Sequence, residues 1–322
     1  MIAQELISFF QSRPEAEARV SEIVVSGGFT GVLLDNGRAG LAQNLLRGTT
    51  PSGEDLDFLW RMVGRPALDL ASQSLAHGRL LVSAGVAALS ALSQSYLEPD
   101  YLQANELRVE RADFRRVLDH DLSAGARIGM VGFGGAVWQV ARVAGQLVVT
   151  EAEPRFFRTH VVSQQGISEG PTGFRLVPTS RAQALLASCE TVLISGCALA
   201  GQALDELLSA CRNSRVIVYG PGTSLLPLPL FQYPQVAAVV TIRIVDGPGL
   251  INLLANMGPG TEPLLGEVGE ALYVERAQVT ASARFPAEAK VLGLPPLMDG
   301  RIRWDRGRQS ASALRVLEPK GG

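Results

Sequence analysis

Apolar positions follow two rhythms along the chain, and the change between them falls near residue 124. The opening stretch "MIAQELISFFQSRPEAEARV" repeats its apolar residues at three- and four-residue intervals among acids, which predicts an amphipathic helix and not a basic leader peptide. Next, "ARVSEIVVSGG", "FTGVLLDNG" and "RAGLAQNLL" alternate apolar with small or polar residues around glycine turns. Asp35-Asn36-Gly37 is a strong hairpin signal there, because Asn and Gly tolerate the positive φ of a tight turn. A small antiparallel sheet is predicted. From Ser52, which is placed to cap a helix carrying Glu54, Asp55 and Asp57, the period becomes helical, with further helices expected over 66–76 and 83–97. Residues 1–98 therefore read as an α+β domain, followed by a polar, partly helical linker at 99–123.

Beyond Ala126 the order becomes strand, helix, strand, repeated. "RIGMVGF", "QLVVTEAE", "GFRLVP", "ETVLISG", "SRVIVYG" and "AAVVTIRIV" are the strands, several apolar throughout as parallel strands covered on both faces must be. Helices fall between them, clearest at "AGQALDELLSACRNS" and "GPGLINLLANMG". This alternation predicts an α/β fold, a doubly wound and mostly parallel sheet over 124–260, with a core in each of the two stretches. Residues 261–322 form a C-terminal extension in which "EALYVERAQVTASARF" alternates like a strand pair and "GLPPLMDGRIRWDRGRQS" is turn-rich and basic.

Composition narrows the chemistry. With 322 residues, 47% hydrophobic and 19% charged, the chain can bury a large core, and a net charge of -2 gives no general pull toward nucleic acid or an anionic membrane. No apolar run approaches the length of a membrane span. Lysine occurs only at Lys290 and Lys320, neither in the context of a phosphate-binding loop or a Schiff base. Cys189, Cys197 and Cys211 are too few and too irregular for a disulfide framework or a zinc knuckle, so reduced thiols in a cytoplasmic protein are expected. A small-molecule partner is expected, and a homo-oligomer is compatible with the sequence.

In a doubly wound sheet, ligands lie beyond the carboxyl ends of the strands. Three glycine loops are predicted there: Gly132-Phe133-Gly134-Gly135, Ser195-Gly196-Cys197-Ala198, and Gly220-Pro221-Gly222-Thr223-Ser224. They offer backbone N–H groups, small hydroxyls and one thiol, a surface suited to an anion or a polar small molecule. Gly132 and Gly134 fill two places of the dinucleotide fingerprint G-x-G-x-x-G while Val137 takes the third, and Glu151 ends the second strand where a ribose-binding acid would stand. The plain alternative is that the glycines only make tight turns.

Cys197 follows a buried strand at a predicted helix start, a setting that favours thiolate, so it is a candidate soft-metal ligand or nucleophile beside its reading as a small core residue. His160, in the loop after the second strand, is the second candidate metal ligand. Cys189 and Cys211 fall at helical positions and read as core. Arg108, Arg111, Arg115 and Arg116 are spaced like one solvated helix face. His77, His120 and His160 stand singly, without metal-site spacing. No G-x-S-x-G hydrolase elbow is read in the sequence, and no acid and histidine are placed for a triad.

The segments "IGMVGFGGAVWQVA", "VLISGCALAGQALDELLSACRNSRVIVYGPGTSLLP" and "AALSALSQ" together resemble the family described as "putative heavy-metal chelation". The resemblance covers about residues 1–260. It implies a Rossmann-like domain preceded by a small domain like the N-terminal domain of enolase, with a site in the cleft between them. The chain departs from the pattern: Cys197, Ala198, Gly201 and Ala203 replace a Thr/Asn-rich run, and Ser90 stands where asparagine is expected. Three readings stay open. One is a binder of a small anionic or chelator-like ligand, with a heavy metal arriving in its chelate. Another is an enzyme using NAD or an adenosylated cofactor, with Glu151 on a ribose and Cys197 or His160 in chemistry. The third is a scaffold with a degenerate site.

Overall fold

The structure is a computed structural model that describes residues 1–46, 49–171, 173–257 and 262–277. The expectations for the extension beyond 277 lie outside the described residues.

Helix α1 (Ile2–Gln11) buries Ile2, Leu6, Ile7 and Phe10 on one face, as its period requires. Strands β1 (Val20–Val25), β2 (Phe29–Leu34) and β3 (Ala39–Gln43) form an antiparallel meander. Its β2–β3 turn has Gly37 at φ 81° and Asn36 Oδ1 accepting from the Arg38 N–H at 3.1 Å. Ser52 caps α2 (Gly53–Met62) by accepting the Asp55 N–H. After α3 (Ala67–Ala71) comes α4 (Arg79–Ser93), buried along nearly its whole length. It lies against β3 so closely that a Cβ on Gly40 would run into the backbone of Ala87 and Ala91. Glycine is what permits that approach.

The linker holds two helices, α5 (Pro99–Ala104) and α6 (Phe114–His120), and between them a strand, β4 (Leu107–Glu110). This corrects the reading of the arginines as one helix face. Leu107 is buried and Val109 packs on the core while Arg108 points out, a period of two, and only Arg115 and Arg116 are helical. Three of the four pair with acids: Arg108 with Glu275, Arg111 with Glu270, and Arg116 with Glu110 and Asp121.

The remaining elements alternate: β5 (Arg127–Val131), α7 (Ala136–Ala141), β6 (Gln146–Glu151), an antiparallel ribbon of β7 (Thr159–Ser163) and β8 (Gly166–Gly170), then β9 (Arg175–Pro178) and α8 (Ala182–Leu186). They continue with β10 (Thr191–Ser195), α9 (Cys197–Ala200), α10 (Leu204–Ala210), β11 (Arg215–Tyr219), β12 (Val236–Ile244), α11 (Gly247–Met257) and β13 (Gly269–Arg276). The large sheet runs β4-β13-β12-β11-β10-β5-β6-β9, parallel from β12 to β9 and antiparallel at β13 and β4. The fold is α/β with a mostly parallel sheet, as expected. Its parallel strands have the order of a dinucleotide-binding sheet, with β5 first in sequence and central in space.

Alternate residues of each central strand face opposite cores. Val192 and Ile194 of β10, with Val216 and Val218 of β11, join α1 and α4 in one cluster. Leu193 and Ile217 face the other side with Ile128, Met130 and Val140. A third cluster sets Ile251 and Leu254 of α11 against Phe29 and Leu41 of the small sheet. The stretches before and after the linker therefore share cores, where the sequence suggested one core apiece.

Candidate functional site

From β5 the chain winds outward through β6 to β9, then α8 carries it back across to β10 and outward again through β11 to β12. Loops leaving β5 and β10 diverge at this reversal, and such a divergence opens a crevice at the carboxyl edge. A cleft of about 340 Å³ lies there. The ends of β5 and β6 contribute Val131, Gly132, Thr150 and Glu151, and α9 contributes Cys197 and Ala198; Leu45, Gly78, Arg79 and Val82 close it from the N-terminal part.

Of the residues picked from sequence, the cleft brings together Gly132, Glu151 and Cys197. Gly132 has φ 91°, and a Cβ there would lie 3.3 Å from Ser195 Cβ and 3.4 Å from Cys197 Sγ. Its missing side chain lets the base of the β5 loop approach Ser195 and Cys197 before the two loops diverge, and Cys197 lines the cleft. Cys197 is half-buried, and its N–H donates to Ser195 Oγ at 3.4 Å. Cys189 and Cys211 are buried, and that burial pushes the Cys189 thiol up and the Cys211 thiol up to about 12.

Glu151 is only 5% exposed, and its carboxylate turns back onto the protein. Oε2 accepts the Phe133 N–H at 3.0 Å, and Oε1 accepts those of Ala152 at 2.8 Å and Glu153 at 3.4 Å. In a dinucleotide site the glycine-loop N–H groups point at phosphate. Here an internal carboxylate holds one of them. Phe133 itself stacks on Phe157 at 4.4 Å between ring centroids and packs on Phe174, which meets Trp138 edge-on. Gly134 and Gly135 face open space.

The third loop sits elsewhere. Gly220, Pro221, Thr223 and Ser224 are absent from the cleft lining. Thr223 Oγ1 donates to Val240 O at 2.8 Å, and Ser224 Oγ donates to Ile242 O at 2.7 Å while accepting from Gln94 Nε2 at 3.0 Å. Gly196 abuts this loop, since a Cβ on it would lie 2.5 Å from the Gly222 carbonyl carbon. His160 lies on exposed β7 with Nε2 4.0 Å from Glu169, outside the cleft lining, so the structure does not bring it to Cys197. Among the described residues no three His, Cys, Asp or Glu side chains converge as a metal-holding group. One string, Gly166-Ile167-Ser168-Glu169-Gly170, spells G-x-S-x-G, but it is strand β8 of a ribbon and not a strand-to-helix elbow.

Sequence reasoning missed five polar residues of the cleft, Arg79, Thr150, Glu153, Thr179 and Gln202. Arg79 at its mouth donates from Nη1 to Leu45 O at 3.0 Å and lies 3.8 Å from Glu153 through Nη2. Its one signal was being the sole charge on α4. Gln202, at φ 56°, donates from Nε2 to Ser74 O at 3.2 Å and Ala76 O at 2.9 Å, tying the loop after α9 to the N-terminal part. Nothing local announces that role. Charged residues in the lining are Arg79, Glu151 and Glu153, two carboxylates against one guanidinium.

These features define an α/β protein with a Rossmann-type strand order and a crevice roofed by a smaller α+β part. Residues 116–264 match the DUF364 family model and residues 10–93 the DUF4213 model, both described as "Putative heavy-metal chelation", and the chain belongs to this family. A protein of unknown function from DUF364 in Desulfitobacterium hafniense DCB-2 is similar in structure, with 18% identity, a TM-score of 0.64, and coverage of 85% of this chain and 98% of that one. Another from Pyrococcus horikoshii has 15% identity, a TM-score of 0.63 and the same coverage. At such identities the likeness establishes the fold. None of the curated proteins matches the sequence. Among the described residues, no helix is long and apolar enough to cross a membrane.

Proposed function

We propose that the cleft binds a small chelator-like ligand that brings a heavy metal with it, in a cytoplasmic protein whose N-terminal enolase-like domain (1–98) roofs a Rossmann-like domain (124–260). The observation that carries this reading is the crevice at the strand-order reversal, lined from both sides of the linker and by Gly132, Glu151 and Cys197 together. A bare metal ion is a poor fit, because structural metal sites combine three or four donors and the described residues offer no such group. A metal already wrapped by an organic chelator needs one or two protein contacts, and Cys197 supplies a soft one. The charge balance of the lining favours a neutral or cationic complex over the free anion that the glycine loops suggested.

A nucleotide-using enzyme is the second reading, favoured by the strand order and the Gly132-x-Gly134 turn. The Glu151 carboxylate on the Phe133 N–H weighs against it, since a phosphate placed there meets a negative charge. Native mass spectrometry of freshly purified protein with metal analysis tests both. Metal together with an organic mass is expected. Retained NAD or an adenosylated mass without metal transfers the site to the enzyme reading, and an empty protein that also takes up no metal chelate leaves only a scaffold.

A further inference from the structure

The β7–β8 ribbon is the least covered structure among the described residues. Among the described residues it pairs with no other strand, and nine of its ten strand residues are exposed. Val162 and Ile167, directly opposite each other, are 75% and 73% exposed, and Val161 on the other face is 53% exposed. Two strands alone are marginal in water; a third strand or a packed face is what ordinarily stabilises them.

Free strand edges invite pairing, and proteins guard them with charges, prolines, bulges or cover. The other edges here follow that rule. Edge strand β1 carries Glu22 and a register shift between Val20 and Glu22, β4 carries Arg108 and Glu110, and β9 carries Arg175 and Pro178. At β3 the Leu41 N–H donates to the buried Ser90 Oγ. On β8 stand Glu169 and two terminal glycines. Strand β7, Thr159-His160-Val161-Val162-Ser163, has none of these guards: no Pro, no Asp or Glu, no Lys or Arg, and no bulge in its register with β8. Two of its five residues are valine and one is threonine, types that favour strands.

We propose that β7 is a dimerisation edge: two copies of this chain pair their β7 strands antiparallel about a two-fold axis through Val161, joining two ribbons into one four-stranded sheet. A second copy fits because the sequence is self-complementary in that register. Val161 faces Val161 of the second copy, His160 faces Val162, and Thr159 faces Ser163, so no like charges oppose each other. The outward N–H and C=O groups of alternate β7 residues then gain ladder partners. Ribbon and body are joined through Phe157, which stacks on Phe133. A small contact of this kind gives a reversible dimer.

Sedimentation equilibrium of the full chain over roughly a hundredfold range of micromolar concentration tests this. A monomer–dimer equilibrium is expected. Val161→Lys, at a half-exposed position and checked by circular dichroism, sets like charges face to face and raises the dissociation constant by at least about tenfold. Val161→Cys is expected to give a covalent dimer on mild oxidation, and Ser168→Cys, away from the axis, none. The proposal is overturned by a wild-type chain that is monomeric throughout, by a dimer indifferent to Val161→Lys, or by a dimer that Val161→Cys does not cross-link.

Discussion

The loops after β5 and β10 and the loop after β11 are all built on glycine, with serine or threonine beside it in the last two and a turn or helix following. The first group opens into the cleft, and the last is bolted shut by Thr223, Ser224 and Gln94. Position relative to the strand-order reversal separates them, because loops diverge at the reversal and stack where neighbouring crossovers run the same way. A glycine loop is thus a request for close approach. What approaches, ligand or protein, is decided by the sheet order.

The sharpest way to break this contrast is at Gln94, which is buried, donates to Ser90 O and Ser224 Oγ and accepts the Ile244 N–H at 2.8 Å. Gln94→Ala strands those groups without partners, and a loss of about 2–4 kcal/mol in denaturant unfolding is expected, with metal-chelate retention unchanged in the folded fraction. A loss under about 1 kcal/mol means that the β11 loop is not closed as described.

On the open side, Glu151→Ala removes one carboxylate from three backbone N–H groups and is expected to cost about 1–3 kcal/mol. Acetate or phosphate in the buffer should restore part of the lost melting temperature in the variant and much less in the wild type. Equal shifts in both would show that these N–H groups do not make an anion site.

The smallest effect is read by thiol chemistry. Cys197 should alkylate at neutral pH in the folded protein, while Cys189 and Cys211 wait for unfolding because burial holds their thiols protonated. The sign for stability follows. Cys211 titrates higher folded than unfolded, so its contribution is whole below the ordinary thiol range and is lost as pH rises through that range toward about 12. Cys197→Ser should change stability by less than about 0.5 kcal/mol. Equal inertness of all three thiols would move Cys197 from the cleft to the core.

Legibility in the sequence tracked burial. The runs IGMV, LVV, VLI and VIV announced the parallel strands because a strand covered on both faces must be apolar throughout. Leu107, Arg108, Val109 and Glu110 did not announce β4, because a short edge strand seen through its charges looks like linker. The ribbon was hidden for a related reason: with no core beneath it, no pattern had to be kept. In the site, Gly132, Glu151 and Cys197 were visible as strand-end residues of unusual type. Leu45, Gly78 and Val82 reach the cleft from distant parts of the chain, and a contact of that range leaves no local mark. Phe133 was read as a ligand residue, and its ring is engaged by Phe157 and Phe174.

Helix α11, laid across the small sheet, has a consequence for how the protein is made. Its Leu254 and Ile251 fill the space over Gly31, against which a Cβ would collide, and they complete the cluster with Phe29 and Leu41. That helix leaves the ribosome roughly two hundred residues after β3, about 10–40 s later at ordinary synthesis rates. Until then the meander shows an unfinished apolar face to the cell. A chain truncated upstream of residue 247 leaves that face permanently bare.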